Sequence, residues 1–197
     1  YSGGKHLGGP QASGILCGRA DLILSAWVQM VDMDVREGTW SLQHWISNGW
    51  LSRPPRHGIG RSMKVSKESI VGVIAALQRY ATRDHAAEYA DWQATIDTIY
   101  ESVCDIPELR ITRLSHGLNG QPYPNLQIES GSEPNGLSVR NLLLALRNQP
   151  RRIVLAEDEQ SPNRAFLYSP CLQAGDAEEI ISGIRQAVCS HRDRLVQ

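Results

Sequence analysis

The feature that most constrains the fold of this chain is the helical spacing of its apolar residues after residue 66. Two stretches repeat apolar residues at helical spacing. The first begins at Ser66, a suitable N-cap, with Glu68 in its first turn, and the second begins near Asp84 and ends before Pro107. Their apolar stripes consist of Ile70, Val73, Ile74, Leu77 and Ala81 in the first and Tyr89, Trp92, Ile96, Ile99 and Val103 in the second. The sequence therefore predicts two long helices that lead into a compact α/β domain.

Strands and helices alternate in the predicted domain. The strand patterns are LRITRL (109–114), NLQIE (125–129), RIVLA (152–156) and AFLY (165–168). One helix is predicted over 137–148, and a last one runs from Asp176 with Ala177, Ile180, Ile181, Ile184 and Val188 as its stripe.

The first 65 residues have weaker patterning. A glycine-rich loop is expected to lead into a short buried strand through Ile15, Leu16 and Cys17, followed by a helix over 20–33. The stretch 34–65 is irregular, and its three tryptophans, Trp40, Trp45 and Trp50, are expected to be packing anchors.

Composition excludes several classes of protein. The chain has 197 residues, a net charge of −1 and 41% hydrophobic residues, which argues against disorder and against a generally cationic, nucleic-acid-binding surface. No apolar run reaches the roughly 18 residues of a membrane span, and no signal peptide is visible, so a cytoplasmic location without a membrane partner is expected. Cys17, Cys104, Cys171 and Cys189 form no metal-binding pattern, so no metal site is predicted and all four are expected to be buried, reduced thiols.

The chemistry is expected in the segment Ser2-Gly3-Gly4-Lys5, which Gly8 and Gly9 follow. A lysine captures an aldehyde cofactor only as the neutral amine, and flanking glycines let a bulky ring approach the backbone. The Ser2 hydroxyl and the N–H groups of the glycine-rich turn suit a cofactor phosphate. The pattern S-x-x-K also opens the serine β-lactamase motif, but the S-D-N and K-T-G partners are absent from the sequence. An ordinary solvated lysine in a surface loop is the other alternative.

The same segment resembles a known family. The pattern Y-S-G-G-K-x-L-G-G-P-Q-x-x-G-I-L-x-G-R (1–19) is similar to the active-site lysine segment of bacterial selenocysteine synthase and its relatives, which include the D-glucosaminate-6-phosphate ammonia-lyases. These enzymes have the aspartate-aminotransferase fold (fold type I) and depend on pyridoxal 5'-phosphate (PLP). Further similarities at 58–72 and 167–180 follow in the family's order. The resemblance implies that Lys5 is the catalytic lysine that forms the Schiff base, and that Ser2, Gly8 and Gly9 help to bind the cofactor.

The resemblance also implies a domain organisation. Residues 1–65 are expected to be the trailing part of the PLP-binding large domain, and residues 66–197 the long interdomain helix plus the small α/β domain. Because the richest motif begins at residue 1 without an initiator methionine, we expect a larger N-terminal part to precede it. That part would hold the groups that bind the pyridine ring and its nitrogen.

A basic segment from Leu51 to Lys67 contains no acidic residue. Its cations are Arg53, Arg56, His57, Arg61, Lys64 and Lys67. Arg61 matches a family arginine that helps to bind the substrate's anionic group, and a guanidinium offers a planar fork for a carboxylate or phosphate. The other cations are expected to form a solvated turn. Gly58 and Gly60 make no dinucleotide fingerprint, because no strand precedes them.

The favoured function is α,β-elimination on a small hydroxylated or phosphorylated amino acid, through an aminoacrylate intermediate and with the freed Lys5 as general base. Gly4 replaces the aspartate that usually precedes the lysine in selenocysteine synthase, and the tryptophan-rich stretch lengthens the path to the small domain. Both differences favour a lyase, although selenium transfer to seryl-tRNA is an open alternative. A third possibility is a catalytically incomplete fragment that only folds and dimerises. A homo-oligomer with the active site near the dimer interface is expected.

Overall fold

The computed structural model describes residues 1–31, 36–132 and 136–196. The chain divides into two compact units, Tyr1–Arg83 and Asp84–Gln197, and the helix that follows residue 66 belongs to the first unit. The predicted division after residue 65 separates a cofactor-binding part from a small domain. That division is a functional assignment, and it stays a prediction.

The described residues of the first unit form three helices and the loops that connect them. The helices are α1 (Ala20–Met30), α2 (His44–Ser47) and α3 (Lys67–Ala81), with short 3₁₀ turns at Glu37–Thr39 and Ile59–Ser62. α3 begins as predicted, because the Ser66 hydroxyl accepts a hydrogen bond from the N–H of Ser69 at 3.1 Å. Hydrogen bonds from its own N–H and from the Ser66 side chain hold the pKa of Glu68 below its usual range.

Two expectations for the first unit need correction. The predicted strand at Ile15–Cys17 is wrong: Leu16 is 69% exposed and Cys17 is exposed, since both lie beyond the last backbone hydrogen bond that the loop makes, from the Ile15 N–H to Tyr1. The predicted helix over 20–33 begins at Ala20 and ends at Met30, where Val31 is already extended. Residues 32 and 33 lie outside the described residues.

The tryptophans and cysteines depart from prediction in part. Trp40 is buried and packs edge to face on Trp45, with ring centroids 5.8 Å apart, and Trp45 also meets Trp27. Trp50 is 60% exposed, so it is not a buried anchor within this chain. All four cysteines are free but exposed, contrary to the predicted burial, because each lies on the solvent side of the segment that carries it.

In the second unit the described residues form three helices and one antiparallel sheet. Its elements are α4 (His85–Val103), β1 (Leu109–Leu114), β2 (Asn125–Ser130), α5 (Val139–Arg147), β3 (Ala156–Glu157), β4 (Arg164–Tyr168) and α6 (Asp176–Leu195). The strand order is β1-β2-β4-β3, and Ile128 of β2 lies between Ile111 and Ala165. The mixed α/β class predicted from the sequence is confirmed.

The core of this unit lies between one face of the sheet and the three helices. Leu126 and Ile128 of β2 alternate with more polar neighbours and are fully buried, together with Ile96 and Ile99 of α4. Period 2 in the strands and period 3.6 in the helices therefore place the apolar residues on facing surfaces.

One strand prediction is wrong in this unit. Residues 152–155 do not join the sheet, and β3 comprises only Ala156 and Glu157. Ile153 instead donates its N–H to the carbonyl of Leu146 at the end of α5, and Leu155 is buried in the core. Ile153 and Leu155 therefore pack against the core without strand pairing, whereas Val154 between them is 64% exposed.

Candidate active site

The lysine loop, defined as residues 1–15, folds back on itself. Its two arms pair through the N–H of Gly3, which donates to the carbonyl of Ser13 at 2.8 Å, and the N–H of Ile15, which donates to Tyr1 at 2.9 Å. Lys5 opens the turn between the arms, and the Gly8 N–H closes that turn by donating to the Lys5 carbonyl at 2.8 Å. Gly8 has a φ of +69°, which a side chain would disfavour.

Glycines bring the two arms into backbone contact. A Cβ on Gly4 would lie 2.1 Å from Gln11 Oε1 and 2.6 Å from Gln11 Cα. A Cβ on Gly3 would lie 2.1 Å from the Ser13 hydroxyl oxygen. A larger residue, such as an aspartate, directly before Lys5 would not fit the loop as it is folded here.

The loop rests on α3. Cβ atoms on Gly3 and Gly9 would lie 3.0 Å from a Val73 methyl and 3.1 Å from the Ala76 Cβ. A Cβ on Gly72 would lie 2.5 Å from Pro10 Cγ. One side of the loop is thus filled by the helix, while Lys5 itself is exposed.

The predicted cofactor residues lie together in this loop, and the structure refines what each can do. Lys5 and Ser2 are exposed. The N–H groups of Gly8 and Gly9 donate within the loop, to Lys5 and to Gly3, each at 2.8 Å. Both glycines therefore shape the turn, and direct phosphate binding through their N–H groups stays a prediction that requires those bonds to be exchanged.

Arg61 is placed by a different set of contacts. It lies exposed on the 3₁₀ turn Ile59–Ser62, which packs against the end of α1. The Gly58 N–H donates to the Val31 carbonyl at 3.0 Å, and a Cβ on Gly58 would lie 2.0 Å from the Gln29 carbonyl oxygen. Arg61 and Lys64 line one shallow cleft of about 380 Å³. Sequence reasoning gave Gly58 and Gly60 no role, whereas both allow close approach to α1.

The contacts of α3 were missed from the sequence. Gly72 and Ala76 lie on the face that meets the loop, and the ring of Tyr80 meets that of His6, with centroids 6.3 Å apart. An isolated glycine inside a strong helical pattern has a packing reason in many proteins, so Gly72 was the available signal.

Within the described ranges 1–31, 36–132 and 136–196, His, Cys, Asp and Glu side chains form no group of three or more that could hold a metal ion. In the same ranges no helix combines the length and the apolar character needed to cross a bilayer.

Comparison with known proteins adds one finding. No family profile and no curated protein matches the chain. A solved structure of a D-glucosaminate-6-phosphate ammonia-lyase matches with a TM-score of 0.52 and 20% sequence identity, over 68% of this chain and 35% of that chain. The chain has the fold of part of this ammonia-lyase. It spans about a third of that structure's length, and at this identity the likeness concerns the fold alone.

Proposed function

We propose that this chain is part of a PLP-dependent enzyme that catalyses α,β-elimination on a small hydroxylated or phosphorylated amino acid. The observation that carries the proposal is the exposed Lys5, at a tight glycine turn that α3 supports from one side. The fold shared with part of an ammonia-lyase supports a lyase. The partners proposed with it are the amino acid substrate and a second copy of the chain.

The residues of the loop fit the cofactor. Gly3 and Gly4 let the two arms of the loop meet, because a Cβ on either would clash with Ser13 or Gln11, and Lys5 is exposed beside them. Ser2 is exposed on the same arm, and its hydroxyl could hold the phosphate. When bound, PLP would supply an electron sink for the negative charge that develops at the substrate Cα.

The chain's own residues would then divide the remaining work. The Lys5 amine would accept the proton from the substrate Cα as a general base. Arg61 would bind the substrate's carboxylate or phosphate through its bidentate fork, because its planar guanidinium matches those groups. Arg61 on a turn pinned to α1 is held more firmly than a residue on an unsupported loop.

Covalent trapping tests the assignment of Lys5. The complete protein, incubated with PLP and reduced with borohydride, is expected to carry the cofactor on Lys5, identified by peptide mass. The other lysines of this chain are Lys64 and Lys67, and peptide mass distinguishes an adduct on either of them from one on Lys5. Lys5→Ala should abolish both the visible absorbance of the bound cofactor and turnover, while thermal unfolding is unchanged, since an exposed loop lysine contributes little to packing.

Lys64→Ala and Lys67→Ala serve as matched controls and should retain the adduct. An adduct on Lys64 or Lys67, or full turnover in Lys5→Ala, would show that the proposed function rests on the wrong lysine.

A further inference from the structure

One face of α3 carries residues of increasing size at a spacing of four. Gly72, Ala76 and Tyr80 lie one above another along this face, because residues four apart share one side of a helix. They meet successive parts of the lysine loop: Gly72 meets Pro10, Ala76 meets Gly9, and Tyr80 meets His6. The helix therefore follows the loop from its second arm to the residue that adjoins Lys5.

The two ends of this face act in different ways. At Gly72 the Pro10 ring occupies the space where a Cβ would be, with Cγ at 2.5 Å and Cδ at 3.0 Å from that position. At the other end the Tyr80 ring reaches out to the His6 ring in an edge-to-face contact, at an interplanar angle of 63°. The Arg83 guanidinium lies 5.7 Å from the centroid of the Tyr80 ring and helps to hold it in place.

We propose that Gly72 and Tyr80 are positioning residues for Lys5, and that they set the height and tilt of the lysine loop on α3. This inference rests on the proposed function, since it concerns where the Lys5 amine meets the cofactor aldehyde. Gly72 fixes the arm that carries Pro10 and Gly9, and Gly9 is joined to the Lys5 arm by its hydrogen bond to Gly3. Tyr80 fixes His6, the residue next to Lys5.

At Gly72 a role in positioning Lys5 can be told apart from a role in the stability of α3. Glycine inside a helix costs about 1 kcal/mol relative to alanine. Gly72→Ala therefore improves the intrinsic stability of α3, while its new methyl group displaces the rigid Pro10 ring. A role in positioning predicts weaker capture of the cofactor by Lys5 without a matching fall in helix stability. If Gly72 affected helix stability alone, Gly72→Ala would not weaken the capture of the cofactor by Lys5.

The experiment compares Gly72→Ala, Tyr80→Ala and Tyr80→Phe with the unaltered complete protein. Ala75→Val is the control, because it adds volume to the exposed side of the same helix. The first readout is amide hydrogen exchange of Gly9, whose N–H bonds to Gly3 and reports the closed loop without any cofactor. The second is the rate at which Lys5 captures PLP, measured by borohydride trapping.

Gly72→Ala and Tyr80→Ala should each raise the exchange rate of Gly9 and lower the capture rate, the latter by tenfold to about a hundredfold, as expected for a displacement of about 1 Å. Tyr80→Phe keeps the ring and should have the same Gly9 exchange rate and Lys5 capture rate as the unaltered protein. Ala75→Val should change neither rate. Unaltered exchange and capture in Gly72→Ala and Tyr80→Ala would overturn the inference. If the unaltered protein captures no PLP on Lys5, the proposed function fails, and the exchange rate alone decides whether α3 holds the loop.

Discussion

At the scale of single residues, Gly4 and Glu108 determine local structure in different ways. Gly4 acts by lacking a Cβ, which lets the arm before Lys5 contact the backbone of Gln11. Glu108 acts through charge, since its carboxylate accepts hydrogen bonds from the Arg192 guanidinium at 2.6 and 2.9 Å. The Glu108 side chain is only 12% exposed, so this pair is better shielded than most surface ion pairs.

The Glu108 pair makes stability depend on acid pH. The hydrogen bonds from Arg192 hold the pKa of Glu108 below its usual range, although partial burial acts in the opposite direction. Because the folded-state pKa is lowered, the pair contributes its full stability above the ordinary glutamate pKa of about 4.3 and loses it as the pH falls through the lower folded value. Glu108→Gln should lower the free energy of unfolding by about 1 kcal/mol at neutral pH.

Urea unfolding of Glu108→Gln at pH 7 and at pH 3 measures this effect, and the difference from the unaltered protein should shrink at the lower pH. Glu159→Gln, in an exposed turn, is the control and should be neutral at both values. A destabilisation of equal size at both pH values would assign the effect to packing and not to charge.

Contacts between elements decide where Arg61 lies. The 3₁₀ turn Ile59–Ser62 approaches the end of α1 so closely that Gly58 and Gly60 leave no room for a Cβ beside Gln29 and Met30. At the scale of elements, the same principle joins α3 to the lysine loop. In both places a glycine within the sequence marks a backbone contact with another segment.

Gly58→Ala should therefore separate the turn from α1. The backbone oxygen of Gln29 lies 2.0 Å from the added Cβ and cannot rotate away, so we expect a loss of 1 to about 3 kcal/mol in the free energy of unfolding. On the proposed function, displacement of Arg61 should also raise KM for the substrate, as Arg61→Ala should, with the absorbance of the bound cofactor unchanged. Thermal unfolding and steady-state kinetics measure the two effects.

Gly38→Ala is the matched control, because no described residue lies within 4 Å of a Cβ at that position in the same unit. It should leave both stability and KM unchanged. A Gly58→Ala protein with normal stability would mean that the turn does not depend on contact with α1.

The two units differ in how much apolar surface they bury. Among the described residues, and leaving proline aside, the buried apolar side chains of the first unit are Leu7, Val31, Trp40 and Ala76, whereas the second unit buries twenty. The first unit also exposes large apolar residues, including Trp50, Ile59, Met63, Val71 and Ile74. Since apolar burial is the main favourable term in folding, we expect the second unit to contribute most of the stability of this chain.

The second unit should therefore fold by itself. A protein comprising residues 84–197 is expected to unfold in one cooperative transition, with native near-ultraviolet circular dichroism. A protein comprising residues 1–83 should lack such a transition, because so few of its apolar side chains are buried. Cooperative unfolding of the shorter protein, or its absence from the longer one, would contradict this account.

The sequence by itself determined the local features of this protein. The period of the apolar residues gave α3, α4 and α6 and the strands β1, β2 and β4, because this signal depends only on neighbours along the chain. For the same reason Ser66 was found as an N-cap and the start of α4 was found near Asp84. The same local reasoning failed at Ile15–Cys17 and at residues 152–155, where short apolar runs do not pair as strands.

Only the tertiary structure decided which segments meet and which side chains face solvent. It placed Gly72 against Pro10 and Tyr80 beside His6, turned the N–H groups of Gly8 and Gly9 inward, and left the cysteines exposed. Close backbone approach and burial depend on residues that are distant in sequence, and no local pattern specifies those partners. For the same reason the sequence could identify Lys5 as the candidate lysine, while the support that α3 gives to its loop emerged only from the folded chain.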